Sequence, residues 1–452
     1  MKLTHAFITA ACLTWAAFAA PPCDGQEADG TPRVSRNRRE MLQTLDELKS
    51  RAARLPYSPA ADAAEGTAVN NRRLRELYLP DLFKPSDPST RQPDQDPLLD
   101  YRFATQLFWI VSRVNDCAYC LGHQEGKLKK AGVDEQGLLA LDTDWGVFSE
   151  PQRVAFDFAR RLTNSPQRIG QADIDALREH FTADQTLLII YWISRYNATN
   201  RWTDATGIPQ ETYRDFSTQL SEDALALKSQ VASDSFPPRS RIADFETWRE
   251  RLKAARQRTA RLTPSQPSSA APVEADVAAK LDRDELRLPH EQWLAAIPQA
   301  GLAAVRQLQA AARVGSLPES LKDQIAFVAA FEDQAWYMQV VTLEKLTSQG
   351  LTPRQAFDLA GGNRAGDVSA AERAALDFAV RLTLQPIGIG DADIAGLAEH
   401  FSPQQIAEII HAVGIAATLN RFTESIGLGL NDTFPLASIQ SSPPTAADRL
   451  GR

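Results

Sequence analysis

RVAFDFARRLT, residues 153–163, returns as RAALDFAVRLT, residues 373–383, with 8 of 11 positions identical and an offset of 220 residues. The same offset relates GQADIDALREHF, residues 170–181, to GDADIAGLAEHF, residues 390–401, at 8 of 12 positions. NATNRWTDATG, residues 197–207, parallels ATLNRFTESIG, residues 417–427. Self-similarity over this span marks a duplication at domain scale rather than a short-period solenoid. The repeated unit reads as helix. Apolar residues recur at three- and four-residue steps in LLDYRFATQLFWIVSRV and in QIAFVAAFEDQAWYMQVV. Ser149 and Ser369 stand as N-caps before helical runs, and Ser369 with Glu372 fits a capping box. TADQ and SPQQ open the following helix, with Pro403 at a first-turn position. No alternating strand pattern competes with these helices, so the expected fold is all-α, two tandem helical units associated as a pseudo-dimer.

The chain has 452 residues, which predicts more than one ordinary core. Hydrophobic residues make up 43% and charged residues 23%, the balance of a globular protein. A net charge of -8 and the lack of a long Lys/Arg block argue against nucleic-acid binding. At the start, Lys2, an apolar run from Ala6 to Ala20 and Ala17-Phe18-Ala19 read as an export signal over residues 1–19. The expected location is therefore periplasmic or secreted, with no membrane span after cleavage. Cys23 follows Pro21 and Pro22, a poor context for lipid attachment.

The remaining division places a tail and lead-in helix at 20–60, the first unit at 61–221 and a Pro/Ser-rich linker with one helix at 222–282. The second unit follows at 283–432 and a tail at 433–452.

Loss of Cys12 with the signal leaves Cys23, Cys117 and Cys120, too few for a disulfide framework. The pair lies in VNDCAYCLGHQ, residues 114–124. On a helix capped by Asn115 or Asp116, the steps from Cys117 to Cys120 to His123 lie on one arc. The positive end of that helix favours a thiolate. Two sulfurs and an imidazole so placed suit thiol redox chemistry: one sulfur attacks, the other resolves and the histidine moves the proton. Three other readings remain. A structural zinc site needs a fourth ligand, covalent haem needs His directly after the second Cys, where Leu121 stands, and the dithiol can be a static structural disulfide.

The duplication supplies an internal comparison. With one inserted residue, Cys117 aligns with Gln334, Cys120 with Tyr337 and His123 with Val340 or Val341. The three groups are absent from the second unit as a block. Asp157, His180, Asn200 and Arg201 persist there as Asp377, His400, Asn420 and Arg421, which reads as structural.

NDCAYCLGHQ at the start of a helix in an all-α unit resembles the alkylhydroperoxidase D-like / carboxymuconolactone decarboxylase family, over residues 65–215 and, in degenerate form, 285–432. The resemblance implies a helical bundle that assembles as a dimer, trimer or hexamer. It implies an antioxidant peroxidase or thiol-disulfide oxidoreductase with a redox-active disulfide, acting on a small hydroperoxide or disulfide substrate. Cys120 would be the attacking sulfur, Cys117 the resolving one and His123 part of the relay. The family motif has three residues between the second Cys and the His, against Leu121 and Gly122 here. Its upstream Glu falls at Thr105 and Gln106, leaving Asp100 and Glu125 as the nearest carboxylates apart from Asp116. Family members that decarboxylate lack the dithiol. No flavin, nucleotide or phosphate loop is visible and no cofactor is expected, so electrons would come from a partner protein or small thiol. The rival expectation is a non-catalytic helical scaffold clipped by a structural disulfide.

Overall fold

Two long helices that are buried over most of their length organise the molecule. The computed structural model describes residues 34–57, 69–79, 98–232, 242, 244–263, 288–297, 301–362 and 368–430. The expected signal segment, Cys12, Cys23 and the tail from 433 lie outside the described residues. From Val34 onward the chain forms one compact unit.

The first half comprises α1 (Arg38–Glu47), α2 (Asn70–Tyr78), α3 (Tyr101–Val114), α4 (Ala118–Lys130), α5 (Glu135–Thr143), α6 (Glu150–Asn164), α7 (Gln171–Arg178) and α8 (Ala183–Thr206). A short α9 (Glu222–Leu225) follows. The second half has α10 (Phe245–Arg256), α11 (Pro289–Ala295), α12 (Gly301–Arg313), α13 (Glu319–Glu332), α14 (Trp336–Ser348) and α15 (Pro353–Ala360). It closes with α16 (Ala370–Leu384), α17 (Asp391–Ala398) and α18 (Pro403–Ile426). Among the described residues the extended pairing is a single bridge, Asn37 with Lys228. The fold is all-α.

Local signals set these boundaries. Ser149 forms a capping box with Gln152, and Ser369 one with Glu372. Thr182 and Ser402 box α8 and α18 with Gln185 and Gln405, and Pro403 occupies the first turn. Both long helices end on a left-handed glycine, Gly207 at φ 60° and Gly427 at φ 68°.

The duplication extends to element lengths. α3, α4, α6, α7 and α8 have 14, 13, 15, 8 and 24 residues, as do α13, α14, α16, α17 and α18. From α3 to α5 the offset is 218, and from α6 it is 220, so two residues are added between α15 and α16. This changes the register expected at the cysteines. Asp116 and Gln334 are the matched pair, both left-handed at φ 50° and 52°. Cys117 therefore corresponds to Ala335, Cys120 to Met338 and His123 to Val341.

The expected linker is also partly redistributed. Residues 228–232 return to the first half, where Ser229 N donates to the Arg36 carbonyl and Gln230 N to the Asp142 carbonyl, both at 2.9 Å. The helix α10 packs on the second half, with Trp248 Nε1 donating to Gln339 Oε1 at 2.7 Å. Arg54 N donates to the Thr206 carbonyl and Arg261 N to the Ile426 carbonyl, so each half carries its own lead-in helix.

α8 and α18 lie against one another through the centre, with Tyr191 edge-on to Phe422 at 6.5 Å. Polar side chains buried on both helices, among them Asn200, Arg201, Asn420 and Arg421, need partners inside the molecule. Crossing hydrogen bonds lock the halves. Arg201 Nη2 donates to the Thr383 carbonyl at 2.9 Å, and Arg421 Nη2 to the Thr163 carbonyl at 2.8 Å. Both carbonyls sit in the last turn of a helix, where the helix itself leaves them without partners.

Asn200 Nδ2 donates to Ser112 Oγ, and its Oδ1 accepts from Asn115 Nδ2. Asn420 Nδ2 donates to Asp333 Oδ2. The Asn-Arg pairs thus hold helices in place, as their presence in both halves suggests. His180 is half-buried at the end of α7, and Asp157 faces solvent.

Buried charge is used structurally as well. Arg38 reaches Glu125 through both guanidinium nitrogens, at 2.7 and 2.8 Å, with 1% and 3% of the two side chains exposed. Trp109 Nε1 adds a third donor at 3.3 Å. Removing one member of such a pair strands the other charge. Arg38→Met is expected to lower stability by about 3–5 kcal/mol, and adding Glu125→Leu to restore most of it. Urea unfolding midpoints of the single and double variants check this.

Candidate active site

The turn between α3 and α4 creates the site. α3 ends at Val114 with Asn115 as its cap, and the chain reverses through Asp116 in the left-handed region. Asp116 N donates to the Arg113 carbonyl at 3.2 Å and Cys117 N to the Ser112 carbonyl at 2.8 Å, the paired bonds of a Schellman motif. A non-glycine residue tolerates this backbone because its side chain is held: Arg113 Nη1 donates to Oδ1 at 3.0 Å, and Ser35 N to Oδ2 at 2.9 Å. The helix cap is therefore Cys117 itself rather than Asn115 or Asp116.

The two sulfurs meet at one oxygen. Cys117 Sγ lies 3.0 Å and Cys120 Sγ 3.2 Å from Thr203 Oγ1 on α8, and both cysteines are free thiols. The Thr203 hydroxyl is also 3.1 Å from the Thr199 carbonyl and 3.0 Å from that of Asn200. Its proton serves those carbonyls while its lone pairs receive the thiols, and it can turn towards a sulfur that becomes a thiolate. Next to it, the half-buried Asp204 carboxyl stands beside Cys117, whose thiol draws its pKa down. Burial pushes this carboxyl up to about 7, against the pull of Cys117, Arg54 and Arg201. The same burial, with Cys120 and Asp204 alongside, raises the Cys117 thiol well above its ordinary value. The lowering expected from the helix dipole at Cys117 is thus outweighed by desolvation.

The second half gives Asp204 a counterpart, Glu424, which is neutralised by Arg258 at 2.8 Å. Asp204 has no such ion pair in the first half, and its Oδ2 has no hydrogen-bond partner among the described residues.

His123 takes up a third position. Its Nε2 is 2.8 Å from Glu211 Oε2, and its Nδ1 receives Arg214 Nη2 at 2.8 Å. With a carboxylate on Nε2 and a guanidinium on Nδ1, the ring is neutral with its proton on Nε2. Burial lowers its pKa below the ordinary value, against the raising effect of Glu211. Glu211 also accepts from Tyr119 Oη at 2.8 Å, Arg214 Nε at 2.9 Å and Asn70 N at 3.0 Å. Burial alone would raise it, but its bonds and charge contacts with His123 and Arg214 win, and the carboxyl stays well below the usual carboxylate range.

His123 hydrogen-bonds neither sulfur. It shares a cavity wall with Cys120. Gly122 makes this arrangement possible, because a Cβ there would lie 2.2 Å from Gln210 Nε2. Gln210 donates to the Ala118 and Tyr119 carbonyls, each at 3.0 Å, and so seats the strap that carries Glu211 and Arg214.

The cavity, of about 500 Å³, opens between the halves and reaches Cys120 and His123, whereas Cys117 lies behind its wall. The carboxylates proposed from sequence are occupied elsewhere. Asp100 caps α3 through Phe103 N at 3.0 Å, and Glu125 is held by Arg38. At the register of the absent Glu, Thr105 bonds its own helix, and Gln106 accepts from Gln152. Among the described residues no group of three or more His, Cys, Asp and Glu could hold a metal ion. No described helix is long and apolar enough to cross a membrane.

No family model matches this chain. It is similar to "Uncharacterized protein YdfG" of Bacillus subtilis (strain 168), with 26% identity over 100 residues, which are 22% of this chain and 68% of the relative.

Thr203, Asp204, Glu211 and Arg214 escape a reading by motif because they lie more than 80 residues from the cysteines. One signal was available: NRWTD and NRFTE keep a hydroxyl followed by an acid in both halves.

The Asp204 pKa has a measurable consequence. The folded value lies above the unfolded one, so the folded state holds the extra proton between the two. Stability then falls as pH rises from about 4 towards 7. Asp204→Asn is expected to remove this decline, gaining up to roughly 4 kcal/mol relative to wild type between pH 4 and pH 8. Urea midpoints measured across that range test it, and parallel pH profiles for the two proteins would contradict the assignment.

Proposed function

We propose that this protein is a thiol peroxidase or thiol-disulfide oxidoreductase acting through Cys120 and Cys117. We further propose that its halves are alkylhydroperoxidase D-like units, paired within one chain and exported. The observation that carries the reading is the convergence of both sulfurs on Thr203 Oγ1, with Cys120 alone in the cavity wall.

The reaction divides into two steps. Cys120 sulfur attacks the outer oxygen of a hydroperoxide; the S–O bond forms as the O–O bond breaks. The alcohol departs with the thiol proton, leaving Cys120 as a sulfenic acid. Cys117 sulfur then attacks Cys120 sulfur, the S–S bond forms, and the hydroxyl leaves as water. Asp204 accepts the Cys117 proton and returns it to that hydroxyl. With a carboxyl near 7, this base is half ionised at neutral pH, close to the optimum for such a transfer. It supports an activity that the absent upstream Glu would otherwise put in question. A dithiol reductant supplies two electrons to restore the pair.

Thr203 holds the dithiol in register and stabilises the thiolate by turning its proton. The neutral His123, fixed by Glu211 and Arg214, shapes the wall beside Cys120 rather than carrying the Cys117 proton. Its position in the cavity still allows it to orient a bound peroxide.

The test is thiol counting on the reduced protein after a stoichiometric pulse of cumene hydroperoxide. Wild type should lose both thiols together. Cys117→Ser should stop at a Cys120 sulfenic acid that dimedone traps, and Cys120→Ser should react at least about 100-fold more slowly. The resolving step should accelerate as pH rises through about 7, and Asp204→Asn should flatten that rise. Equal thiol loss in wild type and Cys120→Ser would rule the reading out.

A further inference from the structure

The cavity beside Cys120 has two chemically different walls. The first half contributes the guanidiniums of Arg75 and Arg195, each over an indole face. Arg75 is 4.7 Å from the Trp202 ring and Arg195 5.6 Å from that of Trp192. The second half contributes a largely apolar wall that includes Leu294, Leu308, Ile410, Ile415 and Leu419.

The cationic wall is short of carboxylates. Arg75 Nε donates to the neutral Asn71 Oδ1 at 3.2 Å, and no described carboxylate pairs with Arg75 or Arg195. Glu76, which also lines the cavity, is engaged by Arg72 at 2.7 Å. The indole N–H groups of Trp192 and Trp202 are buried without a hydrogen-bond partner among the described residues. The two guanidiniums repel one another. Burial first, and then Arg195, brings Arg75 down to about 9, while Cys120 acts in the opposite sense. Two adjoining cations kept without an anion are costly unless a ligand supplies one.

We propose that this cavity binds an organic carboxylate with an extended apolar body, its anion held by Arg75 and Arg195 and its body lying along the second half. Planar guanidiniums suit a carboxylate, which they can engage with two parallel hydrogen bonds. The volume of about 500 Å³ suits a ligand of this size. The inference rests on the proposed thiol chemistry only in naming the substrate: a hydroperoxide that also carries a carboxylate. Binding itself requires no reaction at sulfur. The cysteine-free second half then has a use, since it forms the apolar side of the site.

Titration calorimetry with the full chain tests the proposal. Oleate represents acyl acids and 2-naphthoate aryl acids, and the methyl ester of each removes the charge while keeping the body. At least one acid should bind at least about tenfold more tightly than its ester, and which acid binds distinguishes the two sources. Arg75→Met and Arg195→Met should each weaken that acid about tenfold and leave its ester unchanged, with thermal unfolding monitored to show that the variants remain folded. Acid binding is measured on the protein with its dithiol intact, so a dithiol inert to hydroperoxide alongside intact acid binding would defeat the redox reading alone. Acid and ester binding alike, or neither acid binding to folded wild type, would overturn the proposal.

Discussion

The exchange of arginines between the two halves is the contact on which the remaining architecture depends. Arg201 and Arg421 are almost fully buried, and each bonds a carbonyl in the last turn of a helix from the opposite half. A guanidinium at a buried helix C-terminus is favourable by up to about 2 kcal/mol, because it meets both the macrodipole and the unsatisfied carbonyls. The two contacts are related by the same repeat, so each half anchors the other. They fix α8 against α16 and α18 against α6, and α8 carries the hydroxyl and the carboxyl that face the dithiol.

The duplicated chain contains its own comparison for the site. The backbone turn is the same in both halves, with Asp116 and Gln334 in the left-handed region and the following residue capping the next helix. The first half places Cys117 and Cys120 on that turn, and the second places Ala335 and Met338. Glu424 is paired with Arg258, while Asp204 instead stands beside the Cys117 thiol. One half thus uses the common frame to bring two thiols, a hydroxyl and a carboxyl together. The other uses it for apolar packing and for the opposite wall of the cavity.

Much of the frame was legible in the chain. Helix starts follow from Ser149, Ser369, Thr182 and Ser402, whose side chains satisfy backbone groups a few residues away. Such signals are local, so they survive without knowledge of the fold. The alignment at Cys117 slipped by one residue because composition gives no clue to a left-handed Asp or Gln in place of glycine. α10 read as linker because its surroundings are rich in Pro and Ser, although Trp248 is buried against the second half. Asp100 and Glu125 stood out as nearby carboxylates, yet a cap and a buried ion pair had already engaged them.

By itself the sequence determined the helical class, the duplication and the proximity of Cys117 to Cys120, because periodicity, capping and a three-residue spacing are short-range properties of a chain. Tertiary structure decided what surrounds the sulfurs. Thr203 and Asp204 arrive from α8, Glu211 and Arg214 from the strap beyond it, and Arg75 from α2. Their effects on charge and proton affinity depend on burial and on distances of about 3 Å across the fold, and long-range contacts of that kind leave no periodic trace in the order of residues.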